Sequence, residues 1–184
     1  MTYNLGGTTS VYRITKQSTE ELAESDVIAE LENADRAIRA ETSRRYVLDK
    51  QVATFIRQNG TVSQSYETYF EIKSGEVPTV YVNNVLQVED TDYTYSDSVI
   101  TFTGRSLLSR DVIQIYYIPS FFDDYANYLA AENLYSIGLI DTMNSTGKAS
   151  YDSVGTKLNY YRRLLSSKPH VAGARDHRNN SGIF

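Results

Sequence analysis

The hydrophobic and polar positions change period twice along the chain. From Ser18 to about residue 46 the apolar residues recur at helical spacing. Val27, Leu31, Ala34 and Ile38 fall at i, i+4, i+7 and i+11 and form one stripe. Ser18-Thr19-Glu20-Glu21 reads as a capping box, with a second helix start at Ser25 or Asp26. The pattern predicts a short first helix, a break, and a longer helix to about Arg45. From Val52 the period shifts toward two, with Val52, Thr54 and Ile56 alternating with Ala53, Phe55 and Arg57. Asn59-Gly60 is a tight-turn signal. Thr61 to Lys73 reads as extended again, most strongly at Tyr69-Phe70-Glu71-Ile72.

Val77 to Pro119 reads as a β-meander. Its short runs of Val, Ile, Thr, Tyr and Phe are broken by Asn-Asn, Asp-Thr-Asp, Asp-Ser and Thr-Gly. Pro78 suits the start of an edge strand, and Asn83-Asn84 a two-residue hairpin turn. Val112 to Ile118 is apolar on both faces, which requires cover on both. Helical spacing returns after Pro119 with Ala126, Leu129, Ala130, Leu134 and Ile137, to about Ile140. Asp123-Asp124 is placed to cap that helix. A loop, MNSTGKAS, follows. Tyr151, Val154, Leu158, Tyr161 and Leu165 then mark a narrow seam on a last helix. The expected fold class is α+β: an N-terminal helix pair, a central antiparallel β-hairpin or meander module, and a C-terminal helical hairpin with an extended tail. Residues 1–17 read as a flexible or partner-ordered arm. Residues 18–165 read as a single domain, helical over 18–46, β-rich over 50–118 and helical over 121–165. Residues 166–184 read as the tail.

Composition narrows the function. At 184 residues the chain can bury roughly 70% of its extended surface. It has no cysteine, so no disulfide and no thiolate metal site. The N-terminus lacks the apolar core of a signal peptide, and no apolar run approaches the ~20 residues of a membrane span. A net charge of −5 and a pI near 5.1 argue against general nucleic-acid binding. The chain carries 16 tyrosines and no tryptophan; tyrosine is a strand former and is also enriched at interfaces. On the interface reading, Tyr81, Tyr93, Tyr95, Tyr116 and Tyr117 are the candidate inter-subunit residues. Arg36, Arg39, Arg44 and Arg45 read as a solvated face paired with acids four residues back (Glu32–Arg36, Asp35–Arg39 and Glu41–Arg45), or as contacts to an acidic partner or DNA.

No motif announces a reaction. His170 and His177 stand in the tail, seven residues apart, a poor metal pair. There is no G-x-S-x-G, P-loop or G-x-G-x-x-G. Glu89-Asp90-Thr91-Asp92 is the densest acidic run and reads as a hairpin loop in contact with water rather than a calcium site. The expectation is a non-enzymatic protein with no cofactor, metal or membrane partner.

Two stretches carry a resemblance. Ala34-Asp35-Arg36-Ala37-Ile38 through Glu41-Thr42-Ser43-Arg44-Arg45-Tyr46 looks like a helix closing on Thr-Gly-Arg and an aromatic, with Ser43 in place of Gly. Val80-Tyr81-Val82-Asn83-Asn84, Asp92-Tyr93-Thr94-Tyr95, Ile100-Thr101-Phe102 and Val112-Ile113-Gln114-Ile115-Tyr116-Tyr117 resemble a V-x-V-N-G, D-Y-T, I-T-F, V-x-V-x-Y pattern, with Asn84 in place of Gly. Together these resemble the head-tail connector (adaptor, or head-completion) proteins of tailed bacteriophages. The second pattern is also similar to other virion modules.

The resemblance implies a virion structural protein that forms a dodecameric ring under the portal, links it to the tail and lines the DNA exit channel. Its implied partners are the portal protein, neighbouring copies of itself, a tail-side connector, terminator or tube protein, and packaged DNA passing without sequence-specific binding. The implied location is the head-tail interface of the virion, and the host cytoplasm during assembly. The tail would dock on the portal, with Lys168, His170, Arg175, Arg178, Ile183 and Phe184 as the docking residues. The alternatives are a tail-terminator or fibre-attachment protein, or a β-module that stacks sugars on Tyr81, Tyr93 and Tyr95.

Overall fold

The computed structural model describes residues 5–41, 47–53, 62–142 and 145–166. The fold is α+β, with four helices and two antiparallel sheets among the described residues. The helix, β, helix order is built as two compact units. A helical unit takes the described residues up to Glu41 and those from Phe121 onward. A β-unit takes those between Val47 and Ser120.

The helical unit opens with a correction. The expected arm at 1–17 contains helix α1, Thr8–Thr15. Thr-Thr-Ser is a weak helix former, and Gly7 gives no side-chain cap. Tertiary contacts make the helix instead: Val11 and Thr15 are buried, and the N–H groups of Gly6 and Gly7 donate to Asp123 Oδ1 (2.9 Å) and Asn127 Oδ1 (2.7 Å). Gly6 sits at φ +80, and a Cβ there would lie 2.6 Å from Asn127 Oδ1, so the close approach requires glycine.

The box at Ser18 is half made. The Glu21 carboxylate accepts from both the N–H and the hydroxyl of Ser18 (2.9 and 3.0 Å), but a turn follows rather than a helix. Helix α2, Glu24–Glu41, starts one residue before the expected Ser25, with Glu24 and Asp26 in its first turn where the dipole favours them. Its stripe is as expected: Val27, Leu31, Ala34 and Ile38 are fully buried.

Helix α3, Phe121–Ser136, packs against α1 and α2 and also against α4, Ser145–Ser166. Ala126, Ala130 and Ala131 are fully buried and let those neighbours approach. α3 ends four residues before the expected Ile140. Gly138, at φ +77, donates to Tyr135 C=O while Leu139 donates to Leu134 C=O, a left-handed C-terminal cap. α4 begins inside the stretch expected as the loop, with Ser150 turned into the interior. Val154, Leu158 and Tyr161 of the seam are buried, whereas Tyr151 is exposed and packs edge-on against Tyr135.

The β-unit has strands β1 Val47–Val52, β2 Ser65–Glu67, β3 Thr79–Val82, β4 Val85–Leu86, β5 Tyr93–Ser96, β6 Val99–Phe102 and β7 Val112–Tyr117. One sheet runs β1-β7-β3-β4 and the other β2-β6-β5. The segment is therefore not a simple meander. The hairpins β3–β4 and β5–β6 fall in different sheets, and β7 returns to lie between β1 and β3.

The Asn83-Asn84 turn forms as expected, both residues having positive φ (52 and 65). Strand placement elsewhere differs. β1 is paired from Val47 to Val52 rather than starting at Val52, because its register is set by β7 (Val47↔Tyr117, Val52↔Val112). Tyr69 and Phe70 lie in a bend, their strand-like composition overridden by the neighbouring β2–β6 pairing. Pro78 precedes β3, which is an interior strand. Along β7 one face, Ile113, Ile115 and Tyr117, is buried, while Val112, Gln114 and Tyr116 are half-covered. The Asn59-Gly60 turn lies outside the described residues, as does the tail beyond Ser166, which is the last residue of α4.

Candidate functional site

The five tyrosines singled out from sequence separate by environment. Tyr93 and Tyr117 are core residues, 2% and 1% exposed. Their hydroxyls are used within the β-unit: Tyr93 donates to Pro78 C=O, and Tyr117 accepts from the N–H of Phe70 (3.0 Å). Burial, reinforced by Glu89, pushes the Tyr93 phenol up to about 12. Neither ring is free to meet a neighbouring subunit or a sugar, which corrects both expectations for Tyr93 and the inter-subunit expectation for Tyr117. An aromatic at an inward position completes a core before it serves an interface.

Tyr81, Tyr95 and Tyr116 are half-buried. Tyr81 and Tyr116 pack edge-to-face at 5.8 Å across β3 and β7. The register aligns Leu86, Tyr81 and Gln114 across β4, β3 and β7, so these three share one sheet face. At its rim lie Val85, Leu86 and Val88, 58%, 55% and 57% exposed. β4 is a two-residue edge strand, so an apolar rim coincides with an open edge.

The hairpin that carries this rim is held rigidly. Asn83 Nδ2 donates to Asp111 Oδ1 (2.7 Å), and Asn83 Oδ1 accepts from the N–H of Val112 (2.8 Å). Asp111 Oδ2 accepts from the N–H of Leu108 (2.9 Å) and faces Arg105 at 3.8 Å. Burial works against the Asp111 carboxylate. The Leu108 N–H, the Asn83 amide and Arg105 together outweigh it and hold its pKa below the ordinary value. Sequence reasoning took Asn83 for its turn geometry and missed its side chain. The signal was present in Asn83 and Asp111, but nothing in their spacing brings them together.

The acidic run is a turn, as expected. Asp90 has positive φ, and Asp92 Oδ2 accepts from the N–H of Val88 (2.8 Å). Among the described residues no group of three or more His, Cys, Asp or Glu could hold a metal ion, and no helix is long and apolar enough to cross a membrane. On α2, Arg39 pairs with Asp35 (2.8 Å), while Arg36 turns to Asn33 and the Glu32 carbonyl. The Glu41–Arg45 pair, with Arg44, lies outside the described residues. So do the portal-docking candidates Lys168, His170, Arg175, Arg178, Ile183 and Phe184. No known protein family matches the chain, and comparison with curated proteins finds no relative.

Proposed function

We propose that the chain is a non-enzymatic virion structural protein, a head-tail adaptor that forms a ring under the portal, links it to the tail and surrounds the DNA exit channel. The observation that carries this reading is the apolar rim Val85, Leu86 and Val88 on an open two-residue edge strand, beside the Tyr81–Tyr116 pair. An exposed apolar edge is a liability for a protein that stays alone and an asset for one that assembles through it. In a ring, each copy's β4 edge would cover part of its neighbour. The sequence resemblance supplies the kind of assembly.

The test is to mix the purified protein with assembled portal from its phage, then to examine sedimentation and electron micrographs. A coaxial ring stacked on the portal is the expected result, and the image gives the copy number. Absence of any complex between two well-folded components would reject the portal assignment.

A further inference from the structure

The sheet that carries the apolar rim ends in two different strands. Its order is β1-β7-β3-β4, and each neighbouring pair is antiparallel. Among the described residues β1 pairs with β7 alone and β4 with β3 alone. Three reversals separate the outer strands, so β4 runs opposite to β1.

Backbone groups alternate in direction along each antiparallel strand. Gln87 N–H donates to Val80 C=O (2.9 Å), so Gln87 faces β3 while Leu86 and Val88 point their backbone groups outward. Val88 is satisfied within its own loop: its N–H donates to Asp92 Oδ2 (2.8 Å) and its C=O accepts from the Asp92 N–H (2.8 Å). Leu86 is left with an outward N–H and C=O that no described residue meets. On β1, Ala53 N–H donates to Asp111 C=O (2.8 Å). Asp49, Gln51 and Ala53 therefore face β7, and Leu48, Lys50 and Val52 present their backbone groups at the outer edge.

The register ties these positions to one face. Leu86 is aligned with Tyr81, Tyr81 with Gln114, and Gln114 with Lys50. At both edges, then, the residues with outward backbone groups belong to the same sheet face. β4 of one copy can continue into β1 of another without turning either face over.

Charge selects that continuation. Residues 74–104, which include β4, carry five acids (Glu76, Glu89, Asp90, Asp92 and Asp97) and no Lys or Arg. Three of the five follow β4 directly. At the β1 edge, Lys50 is the one charged residue among Leu48, Lys50 and Val52.

We propose that β4 of one copy pairs antiparallel with β1 of the next copy, Leu86 opposite Val52 and Val88 opposite Lys50. Leu86 and Val52 exchange the two backbone hydrogen bonds, and Lys50 stands beside the acidic turn Glu89–Asp92. The joint rests on assembly through β4 and names the surface that β4 meets. It is head-to-tail, so its repetition generates a ring. Pairing β4 with a second β4 would stop at two copies and join two acidic edges with no base between them.

The chain has no cysteine, so introduced pairs report without background. A hydrogen-bonded antiparallel pair holds its Cα atoms about 5.5 Å apart, within disulfide range. Full-length Leu86→Cys and Val52→Cys proteins are mixed and oxidised, concentrated alone and on assembled portal. The mixture should yield linked two-copy species that neither variant yields by itself, and the double variant a ladder of linked copies. A photoreactive benzoylphenylalanine in place of Leu86 avoids any change to β1, and mass spectrometry should map its cross-link to residues 47–52 of another copy. Lys50→Glu should lower the linked fraction severalfold, and adding Glu89→Lys should restore it, because like charges facing across a strand pair repel. Self-linking of Leu86→Cys, a cross-link outside β1, a linked fraction indifferent to Lys50→Glu, or no link under either condition would each overturn the joint. Rings on the portal without the 86–52 link would reject the joint and keep the ring. The link without a portal complex would support the joint and reject the portal assignment.

Discussion

Gly104 shows how a single missing atom can be a structural requirement. A Cβ there would lie 1.9 Å from the carbonyl oxygen of Thr91, where a backbone cannot yield cheaply. Gly104→Ala should therefore cost about 1–3 kcal/mol by overpacking, read from the denaturation midpoint. Thr103-Gly104 looks in sequence like any turn breaker; the constraint comes from a segment a dozen residues away and leaves no local mark. Asn83 and Asn84 were legible because their positive φ follows from side-chain chemistry. Tyr93 and Tyr95 share a strand and a parity, and only the neighbours around Tyr93 make it core.

Asp111 links residue chemistry to pH. Its folded pKa is depressed, so its stabilisation is complete above the unfolded carboxylate value of about 4 and is lost as pH falls through the folded value. Asp111→Asn should lower stability at neutral pH by about 1–3 kcal/mol and flatten the acid side of the stability curve. Tyr93 acts at the opposite end. Its raised pKa means that stability declines as pH rises from 10 toward 12, and Tyr93→Phe should soften that decline at a cost of about 1 kcal/mol for the lost hydrogen bond.

Among elements, α1 is the most dependent on others. Its sequence predicts no helix, and the side-chain oxygens of Asp123 and Asn127 fix where its N-terminus lies. Replacing both residues with alanine should abolish hydrogen-exchange protection across Thr8–Thr15 and leave that of β7 intact. Full protection in the double variant would show that burial of Val11 and Thr15 alone holds the helix. The stripe of α2 and the seam of α4 were legible because a 3.6-residue period persists through each. β1 was hidden by Asp49-Lys50-Gln51 at its centre, polar residues tolerated because pairing with β7 fixes the strand.

At the scale of the whole molecule, the rim on β4 makes assembly separable from folding. Leu86 is 55% exposed, so Leu86→Asp should leave thermal unfolding nearly unchanged while preventing ring formation on the portal, seen by sedimentation. A variant that still assembles normally would place the subunit contact elsewhere. The helix, β, helix order was legible from the changes of period. The division into two units was not, because the helical unit joins segments separated by the entire β-unit, and periodicity carries no information about long-range pairing.

That separation has a consequence for synthesis. Gly7 meets Asn127, its partner 120 residues later in the chain. At about 5–20 residues per second, the ribosome takes roughly 6–24 s to supply that partner. For that interval the N-terminal helices have emerged without the surface that holds them, while the seven described strands of the β-unit are made. Helix α1 is thus among the last elements to be secured, and nascent chains stalled before α3 should expose Val11 and Leu31 to any chaperone that recognises apolar segments.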